Sequence, residues 1–119
     1  MASHNDFGKE AEQIAADYLI KKGYEILERN YCFQKAEIDI IAFKDDVIAV
    51  VEVKGRKENF LERPEDSVKK KKIRLLVKAI NEYVIESELD SEVRFDIISV
   101  IKTGQRFDVE HFESAFYHF

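Results

Sequence analysis

An apolar run that ends in an acid and a base is the feature that most constrains this fold. The run covers residues 47–51, and the charged side chains of Glu52 and Lys54 follow it. Because side chains alternate along a strand, Glu52 and Lys54 project from the same face. A buried strand rarely ends this way, so the pattern indicates two charges that meet at an edge of a sheet.

A second acid, Asp39, lies in the preceding apolar run, and the residues between the two runs, 44–46, favour a turn. The two runs therefore predict an antiparallel hairpin. If Phe43 pairs with Ile48 across the turn, counting outward places Asp39 opposite Glu52. A register one residue shorter would move Asp39 to the other face, and the sequence leaves this choice open.

Two opposed carboxylates repel each other unless a cation lies between them. Carboxylate oxygens and water suit Mg²⁺ or Mn²⁺, and the main-chain carbonyl of Val53 offers one more oxygen. In this hypothesis Asp39 and Glu52 hold the metal, while Lys54 orients water or stabilises negative charge on a phosphate. Glu12, at the edge of an apolar helical stripe, is expected to act as an extra acid. The pattern thus favours a metal-dependent nuclease.

The simpler interpretation is an ordinary salt bridge. In the same register Glu37 faces Lys54, so Lys54 has either Glu37 or Glu52 as a partner, and Glu37 has either Lys54 or Arg56. Charges inside apolar strands are costly when they are unpaired, which favours the site over this alternative. We expect Glu37 to have an accessory role at most.

The chain has 119 residues, of which 45% are hydrophobic and 36% are charged. This predicts one domain, residues 1–119, with a buried core. A net charge of −5 argues against a strongly basic coat protein for nucleic acids, but it allows a local basic patch. Cys32, the single cysteine, cannot form an intramolecular disulfide and is expected to be a small buried side chain. With no long apolar run and no signal-peptide pattern, a cytoplasmic protein is expected.

The order of elements is helix, three strands, helix, and one or two strands. Helices are expected at residues 6–22 and 64–87 (Pro64 in the first turn of the second), strands at 24–28, 37–43, 47–54 and 93–101, a short element at 107–112, and a polar loop at 55–63. A hairpin followed by a crossover helix predicts an α/β fold with a mixed sheet flanked by helices. The terminal aromatic residues are expected to complete the core, or else to form a dimer surface. They are Phe112, Phe116, Tyr117 and Phe119.

A run of basic residues opens the second predicted helix. Its members are Lys69, Lys70, Lys71, Lys72, Arg74 and Lys78. Such a run is usually a solvated face, and helical geometry spreads it around the axis. A functional version would follow a phosphate backbone, with Lys72 as the best candidate and Lys57 and Arg63 as extensions of the patch.

Several ordered motifs resemble those of the YraN-like family of small bacterial proteins, which is grouped with the PD-(D/E)XK nuclease superfamily. They are residues 8–15 with Glu12 at the acidic position, residues 36–39 (Ala-Glu-Ile-Asp), residues 51–56 (Val-Glu-Val-Lys-Gly-Arg), Val68 with Lys72, Ala79 and Tyr83, and residues 94–96 (Arg-Phe-Asp). Ala36 replaces the glycine of the family, and Ile38 replaces the nominal proline of the superfamily. Neither change alters the acidic residues of the motif.

The resemblance implies a restriction-endonuclease-like αβββαβ core and Mg²⁺-dependent cleavage of DNA. It implies the catalytic set Glu12, Asp39, Glu52 and Lys54, with Arg56 and Lys72 binding nucleic acid. Holliday-junction resolvase-like relatives imply branched or structured DNA, a role in repair or recombination, and a homodimer by analogy. The alternative functions are a non-catalytic nucleic-acid-binding or accessory module on the same fold, and a protein-interaction domain that uses the aromatic tail.

Overall fold

The computed structural model describes residues 2–57 and 68–116, with side chains from residue 7 onward. Along these ranges the elements follow the predicted order of one helix, three strands, a second helix and two strands. They are α1 (Ala2–Lys21), β1 (Glu25–Phe33), β2 (Ala36–Lys44), β3 (Val47–Lys57), α2 (Lys70–Ser87), β4 (Glu92–Thr103) and β5 (Arg106–Phe112).

The strands form a five-stranded mixed sheet in the order β1-β2-β3-β4-β5. Neighbouring strands are antiparallel except for β3 and β4, which are parallel. The parallel pair follows from the crossover that includes α2, because a tight turn cannot join parallel strands. The predicted mixed α/β architecture is confirmed, and it is compatible with a restriction-endonuclease-like core.

Each helix covers one face of the sheet. α1 packs Ala15 and Leu19, both at 0% exposure, against apolar side chains of β2, β3 and β4. α2 packs Leu76 and Ile80 against the opposite face, where their neighbours come from the same three strands. The continuous apolar runs of the central strands are explained by this burial on both sides.

The hairpin between β2 and β3 has the predicted register. Both turn residues, 45–46, have positive φ angles of 52° and 62°. Two such residues form the type of turn that matches the twist of a two-residue hairpin. Phe43 pairs with Ile48, and the ladder continues as far as the pair of Ile40 and Val51.

Strand β3 is longer than predicted. The expected loop at 55–63 is wrong for its first three residues, because the parallel ladder with β4 continues until Lys57 pairs with Lys102. Gly55 lies inside this strand, and a Cβ atom there would be 2.9 Å from the ring of Phe7. Glycine therefore permits the close approach of α1 to β3 at this point.

The second helix begins later than predicted. Lys69 has extended angles (φ −82°, ψ 160°), and the first helical residue is Lys70. The N–H group of Ile73 donates to the carbonyl of Lys69 at 3.0 Å, which opens the helical ladder. The predicted start at Pro64 is therefore wrong for residues 68–69. Pro64 itself and Arg63 lie outside the described residues.

The first helix begins at Ala2 instead of residue 6, and it ends at Lys21. Gly23 has a φ angle of +95°, and its N–H group donates to the carbonyl of Ile20 at 3.0 Å. Gly23 therefore forms the C-cap of α1. Strand β1 extends five residues beyond its predicted end, to Phe33, because it pairs with β2 over this length. The other boundaries agree within two residues.

Two predictions about individual side chains have opposite outcomes. Cys32 is exposed, so its predicted burial is wrong. It lies on the edge strand β1 between Tyr31 and Phe33, whose side chains pack on the α2 side, so alternation turns Cys32 away. Phe116 is buried and its ring centroid lies 5.3 Å from that of Phe95, as expected of the aromatic tail. The predictions for Tyr117 and Phe119 fall outside the described residues.

Neither helix in the described ranges is long and apolar enough to cross a membrane.

Candidate active site

Asp39 lies where the regular alternation of side chains along strand β2 is interrupted. Ile38 packs in the cluster on the α2 side, whereas Ile40 packs in the cluster on the α1 side. In a regular strand these two residues would share a face. Opposite this point, Asn30 of β1 has a φ angle of 55° and the ladder skips it. Asp39 is thus released from regular pairing.

The carboxylate of Asp39 reaches towards the backbone of β3. Its Oδ2 accepts a hydrogen bond from the N–H group of Val53 at 2.9 Å. The ladder between β2 and β3 has already ended here. The predicted pairs of Asp39 with Glu52 and of Glu37 with Lys54 therefore do not form as ladder pairs. Burial raises the pKa of Asp39 above its ordinary value, although the hydrogen bond from Val53 opposes this shift.

Glu52 is a fully buried acid that contacts the ammonium group of Lys72. Its side chain has 0% exposure, and Oε1 lies 2.6 Å from the ammonium nitrogen of Lys72. The other oxygen, Oε2, accepts no hydrogen bond from the residues that the structure describes. Burial, followed by the negative charge of Asp39, raises the pKa of Glu52 from 4.5 to about 7. The charge of Asp39 therefore reaches Glu52 without a ladder pair between them.

Lys54 and Arg56 follow Glu52 along β3. Both are half-buried, and they pair in the ladder with Ser99 and Ile101 of β4. Burial, and then the positive charge of Lys72, lowers the pKa of Lys54. Two lysines and two acids thus share one partly dehydrated region, where their charges interact more strongly than in water.

Glu12 approaches the same region from α1. It is half-buried, and its pKa is raised by burial and then by the negative charge of Asp39. The positive charge of Arg29 and a hydrogen bond with Asn30 oppose this shift. The helix therefore holds Glu12 within electrostatic reach of Asp39, at the point where β1 and β2 are irregular.

An open cleft of ≈ 410 Å³ lies beside these acids. It is lined by Lys35, Glu37, Asp39, Lys69, Lys71, Lys72 and Leu75. Four lysines against two acids give the cleft a positive balance on a chain of net charge −5. Three of the lysines belong to the basic run at the start of α2, which the sequence could not assign to one face.

Lys35 is a residue that sequence reasoning missed. It lies in the two-residue turn between β1 and β2, where Phe33 pairs with Ala36. A lysine in a turn carries no functional signal in the sequence. It reaches the cleft because the turn lies beside the beginning of α2, so only the tertiary fold identifies it.

The carboxylate oxygens of this site are the type of ligand that a hard divalent cation prefers. The half-buried Asp39 and the buried Glu52 interact electrostatically, and Oε2 of Glu52 accepts no hydrogen bond from the described residues. Such ions take carboxylate oxygens and water. Across residues 2–57 and 68–116, however, no group of three or more His, Cys, Asp or Glu side chains is placed to hold a metal ion. Lys72 is the cation that contacts Glu52 here.

A second buried acid, Asp96, lies on the α1 side of the sheet, on the neighbouring strand. Its oxygens accept hydrogen bonds from Arg94 at 2.9 and 2.8 Å and from the N–H group of Ser114 at 3.1 Å. His111 Nε2 lies 2.8 Å from Oδ2 of Asp96. Burial alone would raise the pKa of Asp96, but these partners lower it. The sequence showed Arg94 and Asp96 only as a motif, because His111 and Ser114 are distant along the chain.

The model of the uncharacterised protein family UPF0102 matches residues 11–100. UPF0102 protein FP2501 of Flavobacterium psychrophilum is 58% identical over 119 residues, with 100% of each chain covered. A UPF0102 protein of Christiangramia forsetii is 51% identical over 119 residues, again with 100% of both covered. A third, from Parabacteroides distasonis, is 49% identical over 117 residues, 98% of this chain and 97% of the relative. The chain belongs to family UPF0102, which confirms the resemblance at the level of the family.

Proposed function

We propose that this member of family UPF0102 is a Mg²⁺-dependent nuclease of the PD-(D/E)XK type that cleaves phosphodiester bonds in DNA. The observation that carries the proposal is the buried carboxylate of Glu52. Among the described residues, one of its oxygens has no hydrogen-bond donor, its pKa is raised in part by Asp39, and it lies beside a lysine-lined cleft. A purely structural acid would be expected to have its hydrogen bonds satisfied.

Asp39 and Glu52 would hold the cation, with the main-chain carbonyl of Val53 as a proposed third donor. Bound Mg²⁺ or Mn²⁺ would polarise a phosphoryl oxygen and lower the pKa of its bound water. The hydrogen bond from Val53 to Asp39 fixes one oxygen of that acid and leaves the other available. Lys54 would stabilise negative charge on the phosphate, and Glu12 would act as an outer acid next to Asp39.

The lysines of the cleft support a polyanionic substrate. Lys35 and the lysines at the start of α2 line it from two different elements, so a phosphate backbone entering there would meet positive charge on two sides. Lys72 contacts Glu52, and Arg56 follows Glu52 and Lys54 along β3, so both are proposed to bind the nucleic acid. By analogy with resolvase-like nucleases, we further propose branched or structured DNA as the substrate, cytoplasmic repair or recombination as the setting, and a homodimer as the assembly.

The second candidate function is a nucleic-acid-binding or accessory module without turnover. The observation that favours it is the ion pair of Lys72 with Glu52, together with the lack of a three-acid group in the described ranges. In that case the same cleft would bind nucleic acid while the acids remain neutralised by lysine.

A cleavage assay separates the two candidates. Wild type with Mg²⁺ or Mn²⁺ would be tested on branched, flapped and linear DNA and on matched RNA. Asp39→Asn and Lys54→Ala should each lower the cleavage rate by roughly 10²- to 10³-fold. Lys78→Ala, which removes an exposed lysine of α2 outside the cleft lining, is the control and should cleave like wild type. Tight binding with no cleavage by stoichiometric protein would favour the accessory module.

A further inference from the structure

We propose that Lys72 is an exchangeable internal counter-ion: its ammonium group neutralises Glu52 until a divalent cation replaces it. Lys72 is then released into the cleft that it already lines, where it can contact a substrate phosphate. This inference rests on the proposed function, since it assigns a regulating and positioning role within that site.

The first reason is the contact itself. The Lys72 nitrogen lies 2.6 Å from Oε1 of Glu52, and the carboxylate has 0% exposure. This is the position from which a positive charge neutralises the acid. A divalent metal ion on the same carboxylate would lie a few ångströms from the ammonium group, and two positive charges at that distance repel each other more strongly in a partly dehydrated site than in water. The two cations therefore compete.

The second reason is that the two partners differ in mobility. Glu52 is fixed in the central strand β3, whereas the Lys72 side chain is 43% exposed and extends from the first turn of α2. A lysine side chain has four rotatable methylene groups, so its ammonium group can leave the acid without movement of the helix.

The third reason is that the ammonium group of Lys72 can move into the neighbouring cleft when it leaves Glu52. It lines the cleft together with Lys35, Lys69 and Lys71. In the ion pair, the charge of Lys72 neutralises Glu52 and does not act on the cleft. Once a metal neutralises Glu52, the cleft gains a free ammonium group next to the acids, so metal binding would prepare the cleft for phosphate.

The test measures Mn²⁺ affinity by isothermal titration calorimetry in the absence of nucleic acid. Lys72→Met keeps the length of the side chain but removes the competing charge, and it should bind Mn²⁺ about tenfold or more tightly than wild type. Lys71→Met is the matched control, because it removes the same charge from the same cleft lining. It should change the affinity far less. Lys72→Arg retains a competitor and should bind no more tightly than wild type.

A second measurement uses wild type alone, so it does not depend on how the variants fold. Acetylation of individual lysines, read by mass spectrometry, should increase at Lys72 when Mn²⁺ is added and stay constant at Lys70. Equal or weaker Mn²⁺ binding by Lys72→Met, or unchanged acetylation of Lys72 in metal-bound wild type, would overturn the exchange while leaving the metal site intact. If wild type and every variant fail to bind Mn²⁺, the exchange and the proposed metal site fall together.

Discussion

Two buried carboxylates on neighbouring strands have opposite surroundings. Glu52 and Asp96 both have 0% exposure, and their strands β3 and β4 pair in parallel. Asp96 receives hydrogen bonds from Arg94 and Ser114 and a contact from His111, and its pKa is lowered. Within residues 7–57 and 68–116, Glu52 contacts the ammonium group of Lys72, its Oε2 accepts no hydrogen bond, and its pKa is raised to about 7.

The difference separates an acid that stabilises the fold from an acid that is available for chemistry. Around Asp96, the hydrogen bonds compensate for the loss of water, so its charge favours folding. Around Glu52, the hydrogen bonds compensate only in part for the loss of water, so the charge opposes folding until a divalent cation binds. Both side chains are fully buried carboxylates. The number of donors distinguishes them.

Substitution by the isosteric amide should show the contrast most strongly. Asp96→Asn removes the charge that Arg94 faces and one of the acceptor oxygens, so it should lower the free energy of unfolding by about 3–5 kcal/mol. Glu52→Gln should not lower the free energy of unfolding at neutral pH, because it removes a poorly compensated buried charge. Urea unfolding measures both. Equal losses in the two variants would contradict the distinction.

The pH dependence of stability should also differ between Glu52 and Asp96, and this effect should be nearly as large as that of the amide substitutions. The folded protein binds the Glu52 proton more tightly than the unfolded chain, whose ordinary pKa is 4.5, so this contribution is complete below pH 4.5 and is lost as pH rises through about 7. The metal-free wild type should therefore lose roughly 3 kcal/mol between these values, relative to Glu52→Gln. The lowered pKa of Asp96 acts in the opposite direction: its contribution is complete above pH 3.8 and is lost only in stronger acid.

Urea unfolding of both proteins at several pH values in the presence of EDTA provides this measurement. Parallel pH profiles for wild type and Glu52→Gln between pH 4.5 and 7 would show that Glu52 has no raised pKa, and would remove the electrostatic argument for the site.

Divalent cations should stabilise the folded protein through Glu52 and not through Asp96. At a concentration of 100 Kd, Mn²⁺ should add about 2.7 kcal/mol to wild type. Asp39→Asn and Glu52→Gln should lose this response. Tyr24→Phe, which perturbs only the surroundings of Asp96, should retain it. Thermal unfolding with and without Mn²⁺ reports the shift, and an identical shift in wild type and Asp39→Asn would count against the two-acid site.

The smallest effect concerns the outer part of the Asp96 network. The hydroxyl group of Tyr24 accepts a hydrogen bond from Arg94 at 2.7 Å. Tyr24→Phe should lower the free energy of unfolding by about 1 kcal/mol, since Asp96 keeps its own partners. A loss as large as that of Asp96→Asn would show that the hydroxyl group, and not the carboxylate, organises the network. Urea unfolding of both variants measures this.

Much of the fold and part of the site were predictable from the sequence. The apolar runs and the turn residues 45–46 predict the hairpin, because a two-residue turn leaves little freedom in register. The spacing of Ile73, Leu76 and Ile80 places them on one face of α2, and each of them is buried. Glu52 and Lys54 were recognisable because charges that end an apolar run conflict with burial.

The remaining features depend on contacts between distant residues. The change of face at Asp39 needs the positive φ of Asn30 on another strand, which no local pattern in β2 reveals. The pairing of Glu52 with Lys72 depends on where α2 begins, and the sequence suggested an earlier start. His111 and Ser114, which contact Asp96, lie on β5 and in the segment after it. The sequence therefore could not show that Asp96 has more hydrogen-bond donors around it than Glu52.

Crystals of the wild-type protein soaked in Mn²⁺ test the central claim most directly. Anomalous difference density should lie between the carboxylates of Asp39 and Glu52, with the ammonium group of Lys72 displaced from Glu52 and no density at Asp96. Crystals that soak at Mn²⁺ concentrations sufficient for surface sites, yet show no density at this pair and an intact ion pair of Lys72 with Glu52, would contradict the account.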